Sequence, residues 1–122
     1  MRILVVEDHA GLAEMTCRVL QDVYDHQVGR AATGAGAIAL FAELRPELVL
    51  VDIHLPDMNG YDLARRIREL PFSGETLLVA LTGFGNIIDE TSAQDAGFDA
   101  HFRKPMDFDL LPTLRRRNEK EG

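Results

Sequence analysis

The chain has a single cysteine, Cys17, so no disulfide can close within it. No apolar stretch approaches the roughly 20 residues that a membrane-spanning helix needs. The N-terminus lacks the layout of a signal peptide. Together these absences place the expected compartment in a reducing cytoplasm. Net positive charge is missing too: 13 Lys and Arg face 20 Asp and Glu, a formal net charge of −7. That balance argues against direct nucleic-acid binding. The cluster Arg115, Arg116 and Arg117 is expected to be a helix C-terminal charge preference. His9, His26, His54 and His101 show no zinc spacing, and no second cysteine offers a thiolate. Cys17 itself reads as an inert packed or half-packed residue of the first helix rather than a nucleophile.

What is present suits one domain. The 122 residues are 46% hydrophobic and 27% charged, an ordinary globular composition with room for one core. The expected unit is a single domain over residues 1–122, with its core at about 1–117 and a polar tail at 118–122. No repeat or low-complexity tract interrupts it.

Apolar runs alternate with helical patterns along the chain. Ile3 to Val6, Leu48 to Val51 and Leu77 to Leu81 are continuous apolar runs, as expected of strands covered on both faces in a parallel sheet. Gln27 to Ala32 and Phe98 to Phe102 are weaker strand candidates. Helical spacing links Leu12, Met15, Val19, Leu20 and Val23, then Ile38, Phe41 and Leu44, then Leu63, Ile67 and Leu70. The segment from Ile87 to Ala96 is a further helix with a poor apolar stripe, and a last helix is expected to turn Phe108, Leu111 and Leu114 inward. Breakers fall between these segments: Pro46, Asn59-Gly60, Ser73-Gly74 and Gly97. Five β/α units in so short a chain predict an open, doubly wound α/β sheet, parallel and in the order 2-1-3-4-5.

That topology gathers polar residues at one edge. Strand 1 runs straight into Glu7 and Asp8, strand 3 ends in Asp52, strand 4 in Thr82, and Lys104 follows strand 5. Strands 1 and 3 would be neighbours at the switch point, where open α/β sheets bind ligands. Three converging carboxylates need a compensating cation, and an all-oxygen donor set suits Mg²⁺ or Mn²⁺. A carboxylate beside a metal and an ammonium can attack phosphorus, a transfer that depends on positioning and charge neutralisation.

The segments ILVVEDH, LVLVDIHLPDMNGYDLARRIR, LLVALTGFG and AGFDAHFRKP resemble a response-regulator receiver domain of two-component signalling, along essentially the whole chain. The resemblance implies a flavodoxin-like (βα)5 fold. It implies Asp52 as phosphoacceptor, with Mg²⁺ held directly by Asp8 and through water by Glu7, alongside Asp52 and the main-chain carbonyl of His54. It further implies Thr82 as the switch hydroxyl, Lys104 as the phosphoryl-pairing lysine, and a cis peptide before Pro105. His101 stands where this family often has Tyr or Phe; it either fills that switch slot or is a packed strand-end histidine. Phe84 and His54 would border the phosphoryl site.

The implied partners are a histidine kinase or phosphotransfer protein, and a downstream protein that reads the surface of strands 4 and 5 and helices 4 and 5. No membrane insertion is expected, and the implied state is a monomer or a phosphorylation-dependent dimer. LTGFG and FDAHFRKP look most like receivers of hybrid sensor kinases. With no output domain expected after the last helix, the chain reads as a stand-alone receiver, a phosphorelay intermediate or a piece of a hybrid kinase. Catalysis beyond self-phosphorylation and autodephosphorylation is not expected.

Two other readings compete. Gly34-Ala-Gly36-Ala-Ile-Ala39 fits a dinucleotide fingerprint, with Asp52 as the acidic ribose partner. A weak preceding strand and the lack of a second half-site favour close helix packing instead. An aspartate-nucleophile phosphatase of the haloacid dehalogenase type would use the same groups. It would need an acid two residues after the nucleophile, where His54 stands, and usually a cap. Asp57 reads as part of the turn before the third helix.

Overall fold

The computed structural model describes residues 1–83 and 89–115. Five strands, β1 (Arg2–Val6), β2 (Gln27–Ala31), β3 (Leu48–Asp52), β4 (Leu77–Thr82) and β5 (Ala100–Arg103), form one sheet in the order β2-β1-β3-β4-β5. Every pairing is parallel. Helices α1 (Ala10–Asp22), α2 (Gly34–Leu44), α3 (Gly60–Arg68) and α4 (Glu90–Ala96) connect them, and a 3₁₀ helix (Phe108–Thr113) follows β5. This is the expected flavodoxin-like topology.

The unbroken apolar runs arise because both sheet faces are covered. Leu4, Val6, Val49 and Val51 point into a core with Phe41, Leu63 and Ile67. Ile3, Val5, Leu48 and Leu50 point the other way, onto Cys17, Leu20 and Leu111. Each such side chain, fully buried, contributes about 2 kcal/mol.

Several expectations need correction. The inward face of α1 is Ala13, Cys17 and Leu20, whereas Met15 and Val23 are 58% and 69% exposed. The five expected apolar residues cover more than one helical face, and of them only Leu20 is buried, beside the smaller Ala13 and Cys17. β5 begins at Ala100, not Phe98. Phe98 belongs to the core, because Gly97 caps α4 in a left-handed conformation and turns the chain inward. The last element among the described residues is a 3₁₀ helix that contains Pro112; Leu111 is buried, with Phe108 and Leu114 half-buried against the same cluster. Arg115, just beyond the cap Leu114, donates to the carbonyls of Pro112 and Leu114. Ile87, Arg116, Arg117 and the expected tail at 118–122 lie outside the described residues.

At the amino-terminal rim of the sheet, Arg68 at the end of α3 ties three elements together. Its guanidinium donates to the carbonyls of Ser73 (2.6 Å), Thr76 (2.9 Å) and Gly97 (2.9 Å), and pairs with Asp99 at 2.9 Å. Asp99 also accepts from the amide of Leu78, the second residue of β4. Gly97 has φ 108°, and a Cβ there would lie 2.7 Å from Arg68 Cγ. At the same rim Arg45, the left-handed cap of α2 (φ 47°), lies over the ring of Phe72 at 4.0 Å.

Candidate functional site

The register of the sheet assembles the site. Val6 pairs with Val51, so the next residue of each strand, Glu7 and Asp52, emerges side by side at the carboxyl rim. Thr82 pairs with Arg103, and the Lys104 amide donates to the Thr82 carbonyl at 2.7 Å. Lys104 is thereby delivered to the same rim. Its Nζ forms a close ion pair with Glu7 and lies 3.1 Å from Asp52 Oδ2.

Glu7, Asp8 and Asp52 each offer a carboxylate oxygen, all within 4.8 Å of one another. Glu7 and Asp52 are buried and Asp8 is exposed. Two main-chain amides fix the buried pair: His9 donates to Glu7 Oε2 (3.2 Å) and His54 to Asp52 Oδ1 (3.0 Å). Burial pushes the Glu7 carboxyl above its ordinary value; Lys104 opposes this, while the hydrogen bond and repulsion from Asp52 add to it. For Lys104, burial alone would lower the ammonium, but its bonds to Glu7 and Asp52 outweigh this and raise its pKa. One ammonium against three carboxylates leaves the cluster two negative charges in excess. The donors are hard oxygens, so the residues present fit a divalent cation such as Mg²⁺.

Around this cluster the remaining expected residues fall as follows. Thr82 ends β4 and is buried. The Lys104–Pro105 peptide is cis. His101 lies on the edge strand β5 opposite Ala80 and is exposed, so it is not the packed strand-end histidine that was one of its two readings. Phe84 lies outside the described residues. His9 caps α1, its Nδ1 accepting from the Leu12 amide. Cys17 is buried, and that burial pushes its thiol up, as suits an inert packed residue.

A family profile for the response regulator receiver domain matches residues 3–115. The chain belongs to this family. Phosphorylation and Mg²⁺ binding are general to receivers. Among curated proteins, the DNA-binding response regulator MtrA of Mycolicibacterium paratuberculosis is 38% identical over 125 residues, covering 98% of this receiver and 53% of MtrA. The chain thus spans about half the length of the curated relatives it matches. A CheY-like receiver domain from Methylobacillus flagellatus has a similar structure, with TM-score 0.79 and 29% identity over 93% of each chain. The receiver domain of sensor histidine kinase PA1611 from Pseudomonas aeruginosa PAO1 is 25% identical, with TM-score 0.76 over 92% of this receiver and 91% of that chain. It carries a magnesium ion in its active-site cleft.

One contributor to the loop beside the site was missed from sequence. Asp57 reaches back across 23 residues to accept from the amides of Gly34 (2.8 Å) and Ala35 (3.0 Å) at the start of α2. These amides hold its carboxyl below the usual value. The Gly34-Ala-Gly36 segment does open a helix, but the place where a phosphate would sit is taken by the receiver's own carboxylate. The available clue was the absence of any acidic residue in the first turn of α2, which leaves its amides seeking an acceptor.

Proposed function

We propose that this receiver, taken as a single domain over residues 1–122, accepts a phosphoryl group on Asp52. The donor is the phosphohistidine of a histidine kinase or phosphotransfer protein in a two-component system or phosphorelay. The observation that carries the reading is the position of Lys104 Nζ, paired with Glu7 and 3.1 Å from Asp52, inside a cluster of three carboxylates at the switch point.

Asp8, Asp52 and the main-chain carbonyl of His54 would hold Mg²⁺ or Mn²⁺, with Glu7 assisting through water. When bound, the ion would supply neutralisation of the charge on the carboxylates and on the phosphoryl group. Asp52 is fixed in one orientation by the His54 amide on Oδ1 and Lys104 on Oδ2. An Asp52 oxygen attacks phosphorus and forms the new P–O bond. The P–N bond breaks, and the imidazole leaves with the electron pair and takes up a proton. Lys104 then turns from Asp52 to a phosphoryl oxygen, and the Thr82 hydroxyl donates to another. An apolar groove of about 190 Å³, lined by Leu12, Met15, Val19 and Phe108 beside Asp52 and Lys104, supports approach of a partner from the α1 side.

Movement of Thr82 would bias the surface formed by β4, β5 and the helices after them, which a downstream protein reads. His101, exposed on β5, is available to follow that movement. Relatives such as MtrA are named as DNA-binding, and they are about twice as long. The charge of −7 on this chain supports protein contact for the receiver unit itself. Activity would then be limited to self-phosphorylation and hydrolysis of the aspartyl phosphate. Among the described residues, no helix is long and apolar enough to cross a membrane.

Incubation with acetyl phosphate and Mg²⁺ should give a single stoichiometric phosphorylation, read by intact mass. Asp52→Asn or removal of Mg²⁺ should abolish it. Equal labelling of Asp52→Asn, or efficient labelling without a divalent ion, would overturn the assignment. Steady turnover of small phosphate esters would instead favour a phosphatase.

A further inference from the structure

The first amides of any α-helix have no partner within it. In α2, Thr33 Oγ1 takes the amide of Gly36 at 3.0 Å. The amides of Gly34 and Ala35 are taken from outside the helix, one by each carboxylate oxygen of Asp57. The neighbouring Met58 packs against the same point: a Cβ on Gly34 would fall 2.5 Å from its sulfur. Two consecutive residues therefore clip the loop between β3 and α3 onto the start of α2.

That loop is fastened inside as well. His54 and Asn59 form an isolated antiparallel bridge, and the Gly60 amide donates to the Ile53 carbonyl at 2.7 Å. The loop is a small closed frame with two functional ends. At one end the His54 amide holds Asp52 Oδ1; at the other Asp57 grips α2. The same His54 residue supplies the carbonyl assigned above to the divalent ion.

We propose that Asp57 is a positioning residue for the divalent ion: by clipping residues 53–59 to α2 it holds the His54 main chain so that its amide meets Asp52 and its carbonyl faces the ion's place. The inference rests on the function proposed above, and it concerns a residue that touches neither the ion nor the phosphoryl group. Its physical basis is preorganisation. A ligand peptide that samples several orientations binds in proportion to the competent fraction, and loss of outer partners of metal ligands typically weakens binding about tenfold or more.

The test uses MgCl₂ alone as probe, with affinity read from the shift of the His54 amide resonance, and separately the Mg²⁺ dependence of acetyl phosphate labelling. Asp57→Ala should weaken Mg²⁺ binding about tenfold, speed hydrogen exchange at Gly34 and Ala35, and move the labelling curve to higher Mg²⁺ with full labelling at saturation. Asp57→Asn, with one acceptor oxygen, should fall between, and it serves if the alanine variant unfolds. Thr33→Ala removes a cap from the same helix without touching the loop. It should lower the melting temperature yet leave Mg²⁺ affinity unchanged. The inference is overturned if both Asp57 variants bind Mg²⁺ like the wild type, or if Thr33→Ala weakens binding as much as Asp57→Ala. Failure of the proposed function is a separate result: the wild type then takes no label at any Mg²⁺ concentration, while the direct titration still reads the role of Asp57.

Discussion

At the carboxyl rim of the sheet, one ammonium stands among three carboxylates; at the opposite rim, one guanidinium is enclosed by three carbonyls and a carboxylate. Both groups are partly buried cations that join distant parts of the chain. Arg68 has matched acceptors for its donors, so its surroundings gain nothing from a further ion. Lys104 neutralises only part of the charge around it, so its surroundings do. Incomplete compensation is what the proposed functional edge shows, and complete compensation is what the opposite rim shows.

Changes at the two rims should therefore separate function from stability. The largest effect belongs to Asp52→Asn, which should reduce acetyl phosphate labelling to background while changing unfolding free energy by less than about 1 kcal/mol. Relief of repulsion from Glu7 and Asp8 there offsets the lost pairing with Lys104. Arg68→Ala should do the reverse. It leaves Asp99 and three carbonyls without their shared donor, at a cost of about 3 kcal/mol in urea unfolding, while the folded protein keeps its Mg²⁺-dependent labelling. A variant at either rim that loses both properties equally would break the distinction.

Asp57 sharpens the comparison, because it lies near the functional edge yet is well matched in acceptors and donors. Its carboxyl is held below the ordinary value of 3.8 by the Gly34 and Ala35 amides. A group whose folded value is depressed contributes stability fully above the unfolded value, and loses it as pH falls through the folded one. Wild type should thus be more stable than Asp57→Asn above pH 3.8, and the gap should close as the pH falls further, as followed by unfolding midpoints. The smallest effect is expected at Arg45→Gly. Release of a left-handed side chain and loss of the contact with Phe72 oppose each other at about 1 kcal/mol each. The melting curve should then shift by the equivalent of less than about 0.5 kcal/mol.

The sheet was legible because strands buried on both faces are apolar throughout, as Leu48 to Val51 is, and because such runs alternate with helical patterns along the chain. The Glu7, Asp8, Asp52 and Lys104 cluster followed once the strand order placed their ends together. The last described element was not legible as a 3₁₀ helix. Phe108, Leu111 and Leu114 recur every three residues, a spacing shared by one face of an α-helix and by a three-residue turn, and Pro112 tipped the balance. Part of the buried face of α1 was hidden by size: Ala13 looks less hydrophobic than Met15 and Val23 but fits closer to the sheet, beside Cys17, whose packing was expected. Asp57 was missed because its partners lie in another β/α unit, and local turn chemistry accounted for it without them.

Position 97 carries two demands at once. A side chain there would have to adopt φ 108° and would meet Arg68 Cγ at 2.7 Å, so backbone strain and eviction of the guanidinium would arrive with a single methyl group. Anyone recombining this domain with others should keep Gly97 and Arg68 together as an inherited pair: a chimera that takes α3 from one parent and the end of α4 from another would put an untested neighbour beside a residue with no room to adjust.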